Sequence, residues 1–411
     1  MLWTGSIGRM RSEQHDYEKE RIGGMTDRRI YQNMDDGTLM ERYWLWLCSC
    51  PGLYRPQIAG LIAYFKDPKR LYEAQTRELM RWKKLADEET TKWVNTLIDY
   101  KETTGLLEAE KKLLRRKVSF VSRQSALFPQ KLHNLPDCPY GLFYRGELPD
   151  PGKCSVAVIG ARRCSSYGQQ MAVILGRALA EEGYQVISGM ASGIDGLAQS
   201  ACISSQGRSF AVLGSGADVC YPKENEGLYD RLLTSGGILS EYPPMTAPLK
   251  THFPMRNRLI SGLSDVVIVV EARAQSGSLI TADLALDQGK EVYAVPGRFS
   301  DLLSYGCNRL IEQGAGIVLS KDSLLKNIAL ALNLERVPPK EEVRIRPAGE
   351  KMEANEKRVY EALNLEARSI DEIASCAGLT LLESMRALVS LQLKNLAVEV
   401  SKNSYVRKIA S

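Results

Sequence analysis

Along this chain the spacing of apolar residues changes character twice. From about Leu39 to Lys117, apolar positions recur three and four residues apart among frequent charges, with no β-rich runs, which predicts helices. Pro51-Gly52 and Pro56 cut that stretch into short pieces. From Cys154 to about Asn333, short continuous apolar runs alternate with amphipathic stretches. The runs predict strands at Ser155–Ile159, Gln185–Ile187, Ser209–Leu213, Gly237–Leu239, Val266–Val270, Glu291–Val295 and Ile317–Leu319, with helices such as Tyr167–Glu182 and Leu279–Gln288 between them. Strands that are apolar on both faces are buried on both faces, and β-α-β alternation requires crossover connections. The prediction is therefore an α/β domain with a doubly wound, Rossmann-like parallel sheet. The last stretch predicts helix Glu356–Leu363, helix Ser369–Ala377, a turn at Gly378, helix Thr380–Leu393 and strands Ala397–Val400 and Ser404–Arg407. Ser369 and Glu372 have capping-box spacing. That order is the layout of a winged helix.

These patterns divide the chain. Residues 1–36 are polar and are expected to be a disordered extension, with Met25, Met34 or Met40 as alternative starts. Residues 37–117 form a small helical domain, and 118–153 a linker and lead-in. Residues 154–335 form the parallel-sheet domain, 336–353 a linker through Pro338-Pro339, and 354–411 the winged helix. No stretch offers about 18 uninterrupted apolar residues, so a cytoplasmic protein without membrane contact is expected.

Composition narrows the chemistry only a little. A net charge of +5 permits a polyanionic partner without demanding one. Nine scattered cysteines with no Cys-x-x-Cys pair, and three histidines, give no metal site and suit a reducing compartment. Cys164, in a polar loop, is the alternative: a reactive thiol.

Unusual residues collect where ligands of open parallel sheets bind, beyond the carboxyl ends of the strands. The first strand runs into Gly160-Ala161-Arg162-Arg163-Cys164-Ser165-Ser166-Tyr167-Gly168, where Arg162 offers a rigid fork for phosphate. Ser188 and Gly189 open a second loop, through Met190-Ala191-Ser192-Gly193-Ile194-Asp195. It reads equally as an anion-accepting turn or a tight turn needing no ligand, with Asp195 ordering it rather than acting as a base. Lys250-Thr251-His252-Phe253-Pro254-Met255-Arg256-Asn257-Arg258 reads as a loop combining three cations with a flat ring, as a single-stranded nucleic acid requires. The plainer alternative puts Phe253 in the core and the arginines at a helix end. Ser276-Gly277-Ser278 begins a helix whose N–H groups can face an anion. No P-loop, dinucleotide fingerprint, nucleophile elbow or carboxylate cluster is present, so neither a cofactor nor catalysis is expected.

Taken in order, Gly160-Ala161-Arg162, Ser166-Tyr167-Gly168, Ser188 through Asp195, Tyr221-Pro222, Ser240-Glu241-Tyr242-Pro243, Phe253 through Arg258, Ser276 through Ala282 and Ala294-Val295-Pro296-Gly297 resemble the DNA-processing protein A (DprA/Smf) family. The resemblance spans roughly Arg123 to Asn333. It implies a non-enzymatic protein that binds single-stranded DNA, dimerises through the Rossmann-like domain, loads the RecA recombinase and protects incoming DNA during natural transformation. Carried over by motif, Arg162, Lys250, Phe253, Arg256 and Arg258 become DNA-binding residues. Ser188, Gly189, Ser276, Gly277 and Ser278 complete the candidate set.

Three departures matter. Trp44 to Pro56 resembles the family's N-terminal SAM or helix-hairpin-helix-like domain, but Tyr54 replaces a glycine and hinders backbone approach to phosphate. Gln199 stands where the family usually has histidine. Thr380–Leu393 carries Arg386 as its lone cation, favouring a partner-binding role over groove reading. The competing readings are a phosphoribohydrolase-like nucleotide enzyme, whose Pro-Gly-Gly-x-Gly-Thr pattern Pro296-Gly297-Arg298-Phe299 lacks, and a transcription regulator, disfavoured by those sparse cations.

Overall fold

The computed structural model describes residues 36–85, 88–334, 352–364 and 366–408. The expected extension up to residue 35 and linker residues 336–351 lie outside the described residues. The rest falls into two compact units. One holds the described residues up to Phe128 with Pro139–Phe143 and Tyr242–Pro244; the other holds Pro129–Cys138, Tyr144–Glu241 and the described residues from Met245 on.

The first unit is helical: α1 (Asp36–Cys48), α2 (Arg55–Phe65), α3 (Pro68–Glu73), α4 (Thr76–Leu85), α5 (Glu88–Thr103) and α6 (Leu106–Arg116), followed by β1 (Ser119–Ser122). Trp44 and Trp46 anchor its core, and the Trp46 indole N–H donates to the Thr104 carbonyl at 2.8 Å. The charged run Glu108–Lys117 is the solvated face of α6, which buries Ala109 and Leu113 and leaves Arg115 and Arg116 exposed. Tyr54 caps α2, and its N–H already donates to Gln57 Oε1 at 3.1 Å.

β2 (Gly141–Gly146) carries the chain between the units. The second unit then runs β3 (Ser155–Ile159), α7 (Ser166–Glu181), β4 (Gln185–Ser188), α8 (Ile194–Ser204), β5 (Ser209–Leu213), α9 (Glu226–Ser235), β6 (Gly236–Ser240), α10 (His252–Leu263), β7 (Val266–Val269), α11 (Gly277–Asp287), β8 (Glu291–Ala294), α12 (Tyr305–Glu312), β9 (Gly316–Ile317) and α13 (Lys321–Ala331). The strands lie side by side as β6-β5-β4-β3-β7-β8-β9, each neighbouring pair parallel. All five residues of β3 are buried, as its unbroken apolar run requires. α7 and α8 pack closely because Gly176 has no side chain; a Cβ there would lie 2.2 Å from the Ala198 carbonyl oxygen. The chain leaves β3 in one direction through β4 to β6, and later returns to β7 on its other side. The gap between β3 and β7 is thus a topological switch point.

Two elements differ from expectation. Glu226–Ser235, to which the sequence reading gives no bounds, is helix α9, and the supposed loop from Lys250 to Arg258 becomes helix at His252. Pro254 fits that helix because the first turn needs no backbone donor from it.

The chain ends in α14 (Ala354–Ala362), β10 (Arg368–Ser369), α15 (Ile370–Ala377), α16 (Leu381–Leu393), β11 (Ala397–Ser401) and β12 (Ser404–Arg407), with the strands antiparallel in the order β10-β12-β11. Capping boxes start α15 at Ser369–Glu372 and α16 at Thr380–Glu383, and left-handed Gly378 ends α15. Glu356 is buried and accepts from Lys394 Nζ at 2.8 Å and Ser390 Oγ at 2.5 Å, fastening α14 to α16. Those donors hold its carboxyl below the ordinary 4.5. The folded value lies below the unfolded one, so the stabilisation is full above pH 4.5 and is lost as pH falls through the folded value. Glu356→Gln is expected to cost this region about 1 kcal/mol at pH 7 and to flatten its acid-side loss of stability. Thermal unfolding from neutral pH to about pH 3 checks both. No single helix among the described residues is long and apolar enough to cross a membrane.

Candidate functional site

A groove of about 490 Å³ opens at the switch point, between the loops that follow β3 and β7. One wall comes from the first turns of α10. Phe253, Arg256 and Asn257 stand three and four residues apart, so they share the helix face that lines the groove. The Phe253 ring lies 5.6 Å from the Tyr221 ring at a tilt of 32°, and the Arg162 guanidinium sits 5.4 Å over it. Arg162 and Lys250 are exposed, and both line the groove. The opposite wall is the start of α11: Ser276 caps the helix by accepting from Ser278 N–H at 3.4 Å, and the two hydroxyls are 2.7 Å apart. Gly277 and Ser278 line the groove beside them, so the positive end of the α11 dipole faces the two cations across an aromatic shelf.

Beneath the groove, charge is spent on the protein itself. Arg256 is 6% exposed, and its Nη1 donates to the Val212 carbonyl and, at 3.2 Å, to the Gly189 carbonyl. It therefore forms the floor and fixes the ends of β4 and β5, rather than offering a solvated cation as expected. Ser188 and Gly189 are likewise corrected. The Ser188 hydroxyl donates to the Val158 carbonyl at 2.7 Å and the Gly189 N–H to Asp195 Oδ2 at 3.1 Å, both in buried surroundings. Ser188 and Gly189 thus hold a tight turn together, while Ala191 and Asp195 of the same loop line the groove. Asp195 orders that turn: burial pushes its pKa up, opposed by Arg256 and the Gly189 N–H. Gln199 does related work, accepting from Met190 N–H at 3.1 Å and donating to the Phe210 carbonyl at 3.1 Å. Its two-ended amide pins Met190, which holds a φ of 53°.

Arg258 does not reach the groove. It stands five residues beyond Phe253, so helix geometry turns it about 140° away from that ring. There it is 4% exposed, its Nε 2.9 Å from Asp137 Oδ2 and its Nη2 paired with Glu241. Tyr221, Asn257 and Thr281, quoted within motifs but not named as DNA-binding residues, are among the further residues that line the groove. The Tyr221-Pro222 motif was the signal for Tyr221; that Asn257 and Thr281 face the groove emerges only from the phase of their helices.

The neighbouring helix start is already occupied. Glu271 accepts from the Ser165 N–H at 2.9 Å and from the Ser165 hydroxyl at the N-terminus of α7. A side chain at Gly168 would place a Cβ 2.3 Å from that carboxylate, so glycine is what lets it approach. In dinucleotide-binding sheets the corresponding helix start receives a pyrophosphate. Here the chain supplies its own anion. Burial and Glu271 push the Cys164 thiol above its ordinary value, and burial takes Cys202 and Cys307 up to about 12, so none is a thiolate at neutral pH. Among the described residues, no group of three or more His, Cys, Asp or Glu is placed to hold a metal ion.

Residues 119–329 match the family model described as DNA recombination-mediator protein A. The DNA processing protein DprA of Bacillus subtilis is 40% identical over 212 residues, covering 51% of this chain and 71% of that protein. Its counterpart from Streptococcus pneumoniae is 43% identical over 198 residues, covering 48% and 70%. The X-ray structure of the Streptococcus pneumoniae protein superposes with a TM-score of 0.58 at 33% identity, covering 69% of this chain and 97% of that one.

Proposed function

The chain belongs to the DNA recombination-mediator protein A family, and from that premise we propose that its groove holds single-stranded DNA without acting on it chemically. The observation that carries this reading is the pairing of two exposed cations, Arg162 and Lys250, with an aromatic shelf at the switch point. Phosphates lie against the cations and the start of α11, and an unpaired base stacks on Phe253 with Tyr221 beside it. Every base has a flat face, so the grip tolerates any sequence. Hydrolytic chemistry has no support in the groove, because its carboxylate, Asp195, is buried and bonded to the loop. The carboxylate plug at α7 further argues against a phosphoribohydrolase-like nucleotide enzyme.

The wider role follows the family resemblance: a cytoplasmic mediator that protects incoming single strands during transformation, loads RecA, and dimerises through the parallel-sheet domain. The N-terminal helical region serves as the SAM or helix-hairpin-helix-like domain. The C-terminal helices and hairpin form a winged helix that meets a protein partner. Leu382, Met385, Val389 and Leu393 of α16 are exposed where a groove-reading helix would carry cations, and Arg386 stands among them.

Titration with fluorescent oligo-dT at two salt concentrations tests the reading. With two to three phosphates held, the logarithm of the binding constant should fall with the logarithm of salt with a slope of about −2. Binding indifferent to salt would overturn it.

A further inference from the structure

The segment joining β8 to α12 holds large side chains out in solvent. Phe299 is 95% exposed, Leu302 72% and Tyr305 51%. This is not loose chain. The Ala272 N–H donates to the Leu303 carbonyl at 2.8 Å, the Gly306 N–H to the Ala272 carbonyl at 2.8 Å, and the Asn308 amide brackets Gly297 at 3.1 and 3.0 Å. An ordered turn therefore fixes the bases of both rings. Scattered exposed leucines are ordinary on any surface, but two aromatics set among arginines are not merely scattered. Arg273 and Arg298 are exposed in the same pair of loops, and Arg309 on the helix α12 that follows.

The position connects this patch to the groove. β8 pairs with β7, whose loop builds one wall of the groove, and adjacent strands lie about 4.8 Å apart. The loop after β3 borders both places: Arg162 lines the groove, while Ser165 and Tyr167 line a second cavity of about 680 Å³ with Pro296, Gly297 and Arg298. Arg298 is paired with Glu366, but the two side chains are 60% and 65% exposed. A pair so open to water binds weakly, and a phosphate can take the guanidinium from it.

We propose that Phe299 and Tyr305, with Arg298, form a second stacking station that receives the single strand as it leaves the Arg162–Phe253 groove. The proposal rests on the single-strand reading of that groove and adds a direction of travel along the sheet rim, from the β3 loop toward β8. Rings and guanidinium groups together also occur on protein-docking surfaces, so what points to the strand is continuity: the loop after β3 borders both the groove and this patch.

The test compares the full chain with Phe299→Ala, Phe299→Trp and Tyr305→Ala on oligo-dT of about six and about twenty nucleotides, by fluorescence anisotropy. The longer strand should bind wild type more tightly than the shorter. Phe299→Ala should cost about tenfold on the longer strand and nothing on the shorter, and Phe299→Trp should restore binding because stacking needs only a flat face. Equal affinity of wild type and Phe299→Ala for the longer strand overturns the proposal while leaving the groove intact. So does a change in oligomeric mass on light scattering with DNA affinity unaltered, which would make the patch a protein-docking surface. If wild type binds neither strand, the groove reading falls first and takes this one with it.

Discussion

Replacing Arg162 and Lys250 together by alanine is expected to weaken oligo-dT binding about a hundredfold, with the midpoint of thermal unfolding almost unmoved. A hydrogen bond to a charged group contributes about 1.5–3 kcal/mol, and two solvent-facing cations at the lower end give roughly 3 kcal/mol, or about two decades in Kd. Both residues are exposed, and surface substitutions away from packing or caps change stability by about 0.5 kcal/mol or less. The salt slope should also fall, by about 0.7 for each phosphate of the single strand that the protein no longer neutralises. Arg162→Lys separates charge from shape. It keeps the cation but loses the flat guanidinium over Phe253, so it should land between wild type and Arg162→Ala. A double variant that binds with unchanged affinity and salt slope would remove these side chains from the interface.

How much of this was legible in the sequence depended on range. The strands were visible because burial on both faces leaves an unbroken apolar run, as in Ser155–Ile159. The capping box at Ser369 was visible because its partner Glu372 lies three residues away. The start of α10 was hidden. Lys250 to Pro254 mixes cation, ring and proline as loops do, and nothing local separates a first-turn proline from a loop proline. Losing that boundary lost the phase of the helix, and with it the different directions of Arg256 and Arg258. Positive charge can be read from a sequence, but where it points is decided by partners remote along the chain: Gly189 and Val212 for Arg256, Asp137 and Glu241 for Arg258. The Ser188-Gly189 turn suited two fates equally well, and nothing local showed that the Gly189 N–H donates to Asp195 six residues on.

Arg258→Ala should show the opposite behaviour: a large loss of stability with single-strand affinity unchanged for the molecules that remain folded. The guanidinium joins α10 to the lead-in segment through Asp137 and to the end of β6 through Glu241. Its side chain is 5% exposed and that of Glu241 17%, so truncation leaves a carboxylate poorly hydrated and without its cation. Breaking a buried pair from one side costs about 3–5 kcal/mol, against a net stability of about 5–15 kcal/mol for a whole domain. Urea unfolding should show the midpoint falling with little change in slope. The cost arises from stranded charge rather than from a missing attraction. Arg258→Met combined with Glu241→Gln and Asp137→Asn should therefore recover much of what Arg258→Met alone loses, even though it removes every charge of the cluster. If Arg258→Ala instead unfolds like wild type and binds oligo-dT poorly, this arginine faces DNA and the helix phase assigned to α10 is wrong.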